Sequence, residues 1–176
     1  MTISIVFFII FVMGIKNKIM KVNFNQEELI QIENIKTKYP TTEAAIMPIL
    51  WLAQNKFGYI SDEVIVYLSE LLNITPSKIE GVVSFYTMFH RKPVGKYHIQ
   101  VCTNVSCMLN DGMKIFDYVS KRYNIKNMEV TPDGIFSLEE VECMGACGGS
   151  PMIAINENYY ENMNLNIVET LLNELK

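Results

Sequence analysis

The four cysteines of this 176-residue chain fall into two short pairs, Cys102-x4-Cys107 and Cys143-x3-Cys147, with residues 108–142 between them. No cysteine is left over. A chain that must join two such pairs needs a fold in which segments distant in sequence end side by side. Each pair follows a stretch of strand character: Tyr97–Val101 (YHIQV) leads into Cys102, and strand signal from Ile135 through Val141 leads into Cys143. Two loops at one end of a sheet can then converge on a common point. The chain is long enough to bury a core without disulfide staples. With no convincing export signal, the cysteines read as reduced thiols or metal ligands in a reducing compartment.

Three chemistries compete for them. A 2Fe-2S cluster takes four thiolates, two per iron, and its potential depends on hydrogen bonds to the sulfurs. Gly145, Gly148 and Gly149 around the second pair would let backbone N–H groups approach those sulfurs closely. Structural zinc also accepts four cysteines, and x4 and x3 pairs are tolerable but atypical for it. Unpaired core thiols or disulfides come third. A C-x-x-C dithiol is absent, which removes the main support for disulfide-exchange chemistry. Spacing alone favours iron–sulfur and leaves zinc open.

The segment before the cysteines is helical in pattern. Asn25 and Glu28 read as a capping box ahead of Leu29, Ile32 and Ile35. Thr42 is expected to cap a second helix carrying Ile46, Ile49, Leu50, Ala53 and Phe57, with Pro48 in its first turn or at a kink and Gly58 as its stop. Ser61 caps a third with Val64, Leu68, Leu71 and Leu72 on one face, and Thr75-Pro76 opens a fourth. These stripes are the core of a helical bundle. Past Pro93 and Gly95 the texture changes to strand, a helix from Asn110 or Asp111 (Ile115, Phe116, Val119, Tyr123), and a short strand near Met128–Thr131. A Pro132-Asp133-Gly134 turn, strands to Val141 and at Met152–Ile155, and a C-terminal helix (Val168, Leu171, Leu172, Leu175) complete it. The expected class is α/β, with a small all-helical N-terminal domain ahead of a sheet domain. The expected divisions are an apolar extension over 1–22, a helical docking domain over 23–92 and a cysteine domain over 93–176.

Ile3–Ile15 is apolar, yet at about 1.5 Å per residue it spans roughly 20 Å against the roughly 30 Å of a bilayer core. Its lysines, Lys16, Lys18 and Lys21, follow the run, the reverse of a secretory signal. Translation from Met20 is the preferred explanation, a peripheral anchor the next, and a cleaved signal the last. Lys plus Arg at 15 against Asp plus Glu at 19 gives a net charge of -4, which points away from nucleic acid and toward work beside other proteins.

The stretches GVVSFYTMFHRKPVGKYHIQVCTNVSCMLN and VECMGACGGSPMIAIN, with AAIMPILWLAQNKFGYIS and the late NENYYENM, resemble the small 2Fe-2S subunit of the NADH dehydrogenase module of respiratory complex I. The resemblance runs from about residue 24 to the C-terminus; residues 1 to about 20 have no counterpart in it. It implies a thioredoxin-like ferredoxin domain with one 2Fe-2S cluster, Cys102 and Cys107 holding one iron and Cys143 and Cys147 the other. It implies a partner flavoprotein that binds FMN and NADH, other peripheral-arm subunits, and a place on the cytoplasmic side of the inner membrane as part of the complex. The host complex would be an NADH:quinone oxidoreductase. Small subunits of NAD-linked hydrogenases and formate dehydrogenases are the nearest alternative, and a zinc-stabilised interaction module is an alternative of another class.

Other residues fit the same reading. His90 and His98, the only histidines, are expected to be neither Rieske-type ligands nor proton shuttles, since four cysteines complete a cluster. Met108 and Met144 are candidates to screen the site from water, and Phe85, Tyr86 and Phe89 are expected mostly in the core. No G-x-G-x-x-G or G-x-x-x-x-G-K-[ST] segment occurs, so no nucleotide site is recognisable and no catalytic residue is assigned.

Overall fold

A computed structural model describes residues 22–175. The expectations for the apolar N-terminal run lie outside those residues. The first helix, α1 (Gln26–Lys36), opens on the capping box: the Asn25 side chain accepts the Glu28 N–H at 2.9 Å and the Glu28 carboxylate accepts the Asn25 N–H at 2.7 Å. Then follow α2 (Ile46–Phe57), α3 (Asp62–Leu72) and α4 (Pro76–Phe85). Gly58, at φ 84, and Asn73, at φ 54, end α2 and α3 in the left-handed region. Ser61 caps α3 by accepting the Val64 N–H at 3.3 Å.

Thr42 does not cap α2. A 3-10 turn, Glu43–Ala45, intervenes, and Thr41 Oγ1 instead accepts the Ala44 N–H at 3.3 Å. Because α2 starts at Ile46, Pro48 falls in its first turn, where a missing N–H forfeits no helical bond. The helices bury Ile32, Ile49, Leu50, Leu68, Ile79 and Val83 in one apolar cluster. Phe89 joins this cluster, but Phe85 is 75% exposed and Tyr86 half-exposed beside it.

Residues 86–96 lead into a five-stranded sheet of order β2-β3-β1-β4-β5, from β1 (Tyr97–Cys102), β2 (Glu129–Val130), β3 (Phe136–Val141), β4 (Ile153–Ile155) and β5 (Asn158–Tyr160). β1 and β3 are parallel, in a register that pairs His98 with Ser137 and Cys102 with Val141; the other pairs are antiparallel. Between β1 and β2 lie a short helix, α5 (Val105–Leu109), and α6 (Gly112–Tyr123); α7 (Leu165–Glu174) closes the chain. Alternation along the strands splits the sheet's faces. Ile99, Val101, Leu138, Ile153 and Ile155 pack with Ile115 and Val119 of α6 and Val168 and Leu172 of α7 in a second apolar cluster. The opposite face carries His98, Gln100 and Cys102 on β1, and Ser137, Glu139 and Val141 on β3. Among the described residues no helix is long and apolar enough to cross a membrane.

Candidate metal centre

Cys102 is the last residue of β1 and Cys107 lies inside α5; both are buried. Cys143 follows β3 by two residues, Cys147 opens a 3-10 turn over Cys147–Gly149, and both are exposed. The two loops are tied together. Thr103 donates its N–H to Val141 O at 3.0 Å, the Cys102 thiol donates to Glu142 O at 3.4 Å, and the Cys102 N–H reaches Met152 O at 3.3 Å. From the other side Asn110 Nδ2 donates to Ser106 O and Ser150 Oγ, each at 2.8 Å, joining the end of the first cysteine segment to the end of the second.

Cys102, Cys107 and Met152 form a small buried cluster against Val141, Met144 and Ala146. Burial pushes the Cys107 thiol up, with the neighbouring Cys102 and the nearby Cys147 adding to the rise, while a hydrogen bond from the Met152 backbone opposes it. Gly145, at φ 79, points its N–H at Cys143 Sγ, 3.4 Å away. Gly149 gives its N–H to Ala146 O instead, so the expectation for the glycines holds at Gly145 and not at Gly149. Met144 packs on the buried thiols as expected, whereas Met108 is half-exposed.

All four thiols are free. Among the described residues no three His, Cys, Asp or Glu side chains close on a single point; the buried pair and the exposed pair are distinct. The donor types nevertheless suit an iron–sulfur cluster: four sulfurs on two tied loops, two of them bearing backbone N–H donors, with the inner pair walled by methionine and alanine. Two supporting residues escape sequence reasoning. Met152 is 1% exposed at the centre of the thiol cluster. Gly112 is the second: a Cβ there would lie 2.7 Å from Cys102 O and 2.8 Å from Cys107 O. Only a chain without a side chain at this position lets α6 start against both cysteine carbonyls.

A polar chain crosses the sheet face that carries Cys102. Gly95 donates its N–H to Ser137 Oγ at 2.9 Å, and Ser137 Oγ lies 2.8 Å from His98 Nδ1. His98 Nε2 lies 2.8 Å from Glu139 Oε2, which also accepts from Gln100 Nε2 at 2.9 Å. Burial raises the Glu139 carboxyl, but the two donors outweigh it and hold the group below the usual carboxylate range. The His90 ring meets His98 edge-on at 4.9 Å, and burial, aided by His98, holds His90 below its ordinary value against the pull of Glu139. A cavity of about 920 Å³ opens beside this network, lined by Gln54, His90, His98, Gln100, Glu139 and Cys143 among others.

Comparison with known proteins settles the family. The model of the Thioredoxin-like [2Fe-2S] ferredoxin matches residues 32–176. The chain belongs to that family. An NADH-quinone oxidoreductase subunit of Rickettsia prowazekii is 39% identical to this ferredoxin over 160 residues, 87% of this chain and 90% of the relative. A subunit of the Thermus thermophilus NADH-quinone oxidoreductase is 41% identical over 131 residues, covering 73% of this chain and 72% of the relative. Among solved structures, an NAD+-reducing [NiFe]-hydrogenase in the H2-reduced state superposes with a TM-score of 0.66 at 18% identity. The match covers 78% of the ferredoxin and 23% of the hydrogenase chain, and shows a shared fold.

Proposed function

We propose that this ferredoxin is the one-electron carrier subunit of an NADH:quinone oxidoreductase, with a single 2Fe-2S cluster on Cys102, Cys107, Cys143 and Cys147. The observation that carries the proposal is the cross-strand tie of the two cysteine loops, with the Cys102 thiol against Glu142 and Met144 on the buried thiols, in a chain of this family. Cys102 and Cys107 would hold one iron, Cys143 and Cys147 the other. The backbone N–H groups of Met152 and Gly145 face thiols that become thiolates on metal binding, and would offset part of their charge. Met144 and Met152 would keep water from the inner pair.

When bound, a 2Fe-2S cluster supplies one-electron chemistry, whereas NADH gives up a hydride, so a flavin must stand between them. We assign that flavin, FMN, and the NADH site to a partner flavoprotein, and place the assembly peripherally on the cytoplasmic side of the inner membrane. Identities near 40% over most of the chain support the quinone reductase over the hydrogenase, whose likeness is one of fold.

The test is anaerobic purification of the whole chain. The expected product is reddish-brown with about two irons and equal sulfide per chain, paramagnetic on reduction, and unreactive to NADH until the flavoprotein is added. Colourless protein holding one tetrahedral zinc would overturn the cluster assignment. Rapid bleaching by NADH alone would overturn the division of labour.

A further inference from the structure

The Ser137–His98–Glu139–Gln100 chain is larger than a strand pairing needs. It places a carboxylate on the sheet face that ends in Cys102, with a side chain only 12% exposed. The hydrogen-bond directions are mutually consistent. The Gly95 N–H donates to Ser137 Oγ, Ser137 Oγ and His98 Nδ1 are hydrogen-bonded to each other, and an ionised Glu139 accepts from both His98 Nε2–H and the Gln100 amide. Glu139 is the one acidic group of the network, and both of its donors reach the same carboxylate oxygen, Oε2. The close approach that starts the chain is built in, because a Cβ on Gly95 would lie 2.5 Å from the Phe136 carbonyl carbon.

We infer that Glu139 is a tuning residue whose fixed negative charge lowers the reduction potential of the cluster held by the cysteines. The inference rests on the cluster assignment proposed above. Glu139 sits opposite Gln100 in the β1–β3 register, and Val141 sits opposite Cys102. Two strand residues at about 3.3 Å each put the carboxylate on the order of 10 Å from the Cys102 sulfur. Adding an electron to a site already surrounded by thiolates is opposed by a nearby anion. At that separation and an effective dielectric of about 20, the opposition changes the reduced-to-oxidised ratio by on the order of tenfold. Glu140 and Glu142 carry the same charge but are exposed, so water and salt screen them. His98 and Gln100 are positioning residues: they hold the carboxylate ionised and in place.

The experiment is a redox titration of the full-length, cluster-loaded protein, followed by the paramagnetic signal of the reduced state. Glu139→Gln keeps the shape and accepts the same two hydrogen bonds without the charge. It is expected to raise the potential by roughly the tenfold equivalent, about 59 mV for one electron. Gln100→Lys sets a cation beside the carboxylate and is expected to move the potential the same way. Glu70→Gln, exposed on α3, makes the same change in net charge and is the control. Potentials for Glu139→Gln and Gln100→Lys that match the control would overturn the inference and leave the cluster assignment standing. If Glu139→Gln fails to hold a cluster, the Gln100→Lys result decides alone. A native chain that shows no 2Fe-2S signal would remove both readings.

Discussion

At the scale of single residues the four cysteines are unequal, and their burial predicts how each replacement behaves. Cys143 is exposed beyond β3, so Cys143→Ser is expected to change the stability of the metal-free chain by less than about 0.5 kcal/mol. In the proposed cluster it would replace a soft thiolate at one iron with oxygen, and the cluster is expected to be shifted or unstable. Cys102→Ser puts a hydroxyl where a buried thiol packs against Met152, at a cost of about 1–3 kcal/mol. Chemical denaturation with iron analysis checks both; equal stability losses would contradict the burial difference. His90 gives a pH prediction. Burial and His98 hold its folded value below the ordinary imidazole range, so near and below about pH 6.5 the unfolded chain binds a proton that the folded chain does not. Stability therefore rises with pH through that window and erodes as pH falls. His90→Gln is expected to flatten the slope between pH 7.5 and 5.5 in urea titrations of the metal-free chain. An unchanged slope would mean His90 is not the group responsible.

At the scale of elements the decisive contact is the start of α6 against the cysteine loop. Gly112→Ala forces a methyl within 3 Å of two backbone carbonyls, neither of which is the flexible end of a side chain. The expected cost is about 1–3 kcal/mol, with cluster incorporation reduced more than for an alanine at Gly148, which has open space around it. Iron content per chain in the two variants checks this. No one-sequence reading exposes Gly112, because its constraint comes from carbonyls of residues 102 and 107. The caps are legible for the opposite reason: Asn25 with Glu28, Ser61 and Pro76 act within one turn of themselves. Helix α5 hides because Val105, Met108 and Leu109 are apolar yet exposed, which leaves no amphipathic period to read. The cysteine pairs announce themselves by spacing, but the His98–Glu139 bond spans 41 positions and exists only through the β1–β3 register.

At the scale of the whole molecule the two larger apolar clusters are built on separate stretches of chain. One draws on residues 22–89, the other on residues 97–175. The connection is polar and local. Gln54 of α2 holds the connecting segment by donating to Met88 O at 2.8 Å and accepting the His90 N–H at 2.7 Å, and Arg91 donates to Ile60 O at 2.6 Å. These bonds fix residues 88–91 to the helices rather than to the sheet. The His90–His98 ring contact then carries the connection across. All four cysteines, Gly112, Met152 and Glu139 belong to the sheet side. A fragment beginning at Lys92 is therefore expected to fold cooperatively, to assemble its cluster with iron and sulfide per chain matching the full-length protein, and to lose the His90 contact. The four helices hold no candidate ligand, yet they expose Phe85 and Tyr86, packed edge-on with ring centroids 4.9 Å apart, a kind of aromatic surface that anchors partners. The fragment is accordingly expected to bind the proposed flavoprotein partner at least tenfold more weakly than the whole chain, as read by titration calorimetry. Full cluster content with undiminished affinity would take the docking role away from the helices, and a fragment unable to hold iron would show that the two clusters fold as one.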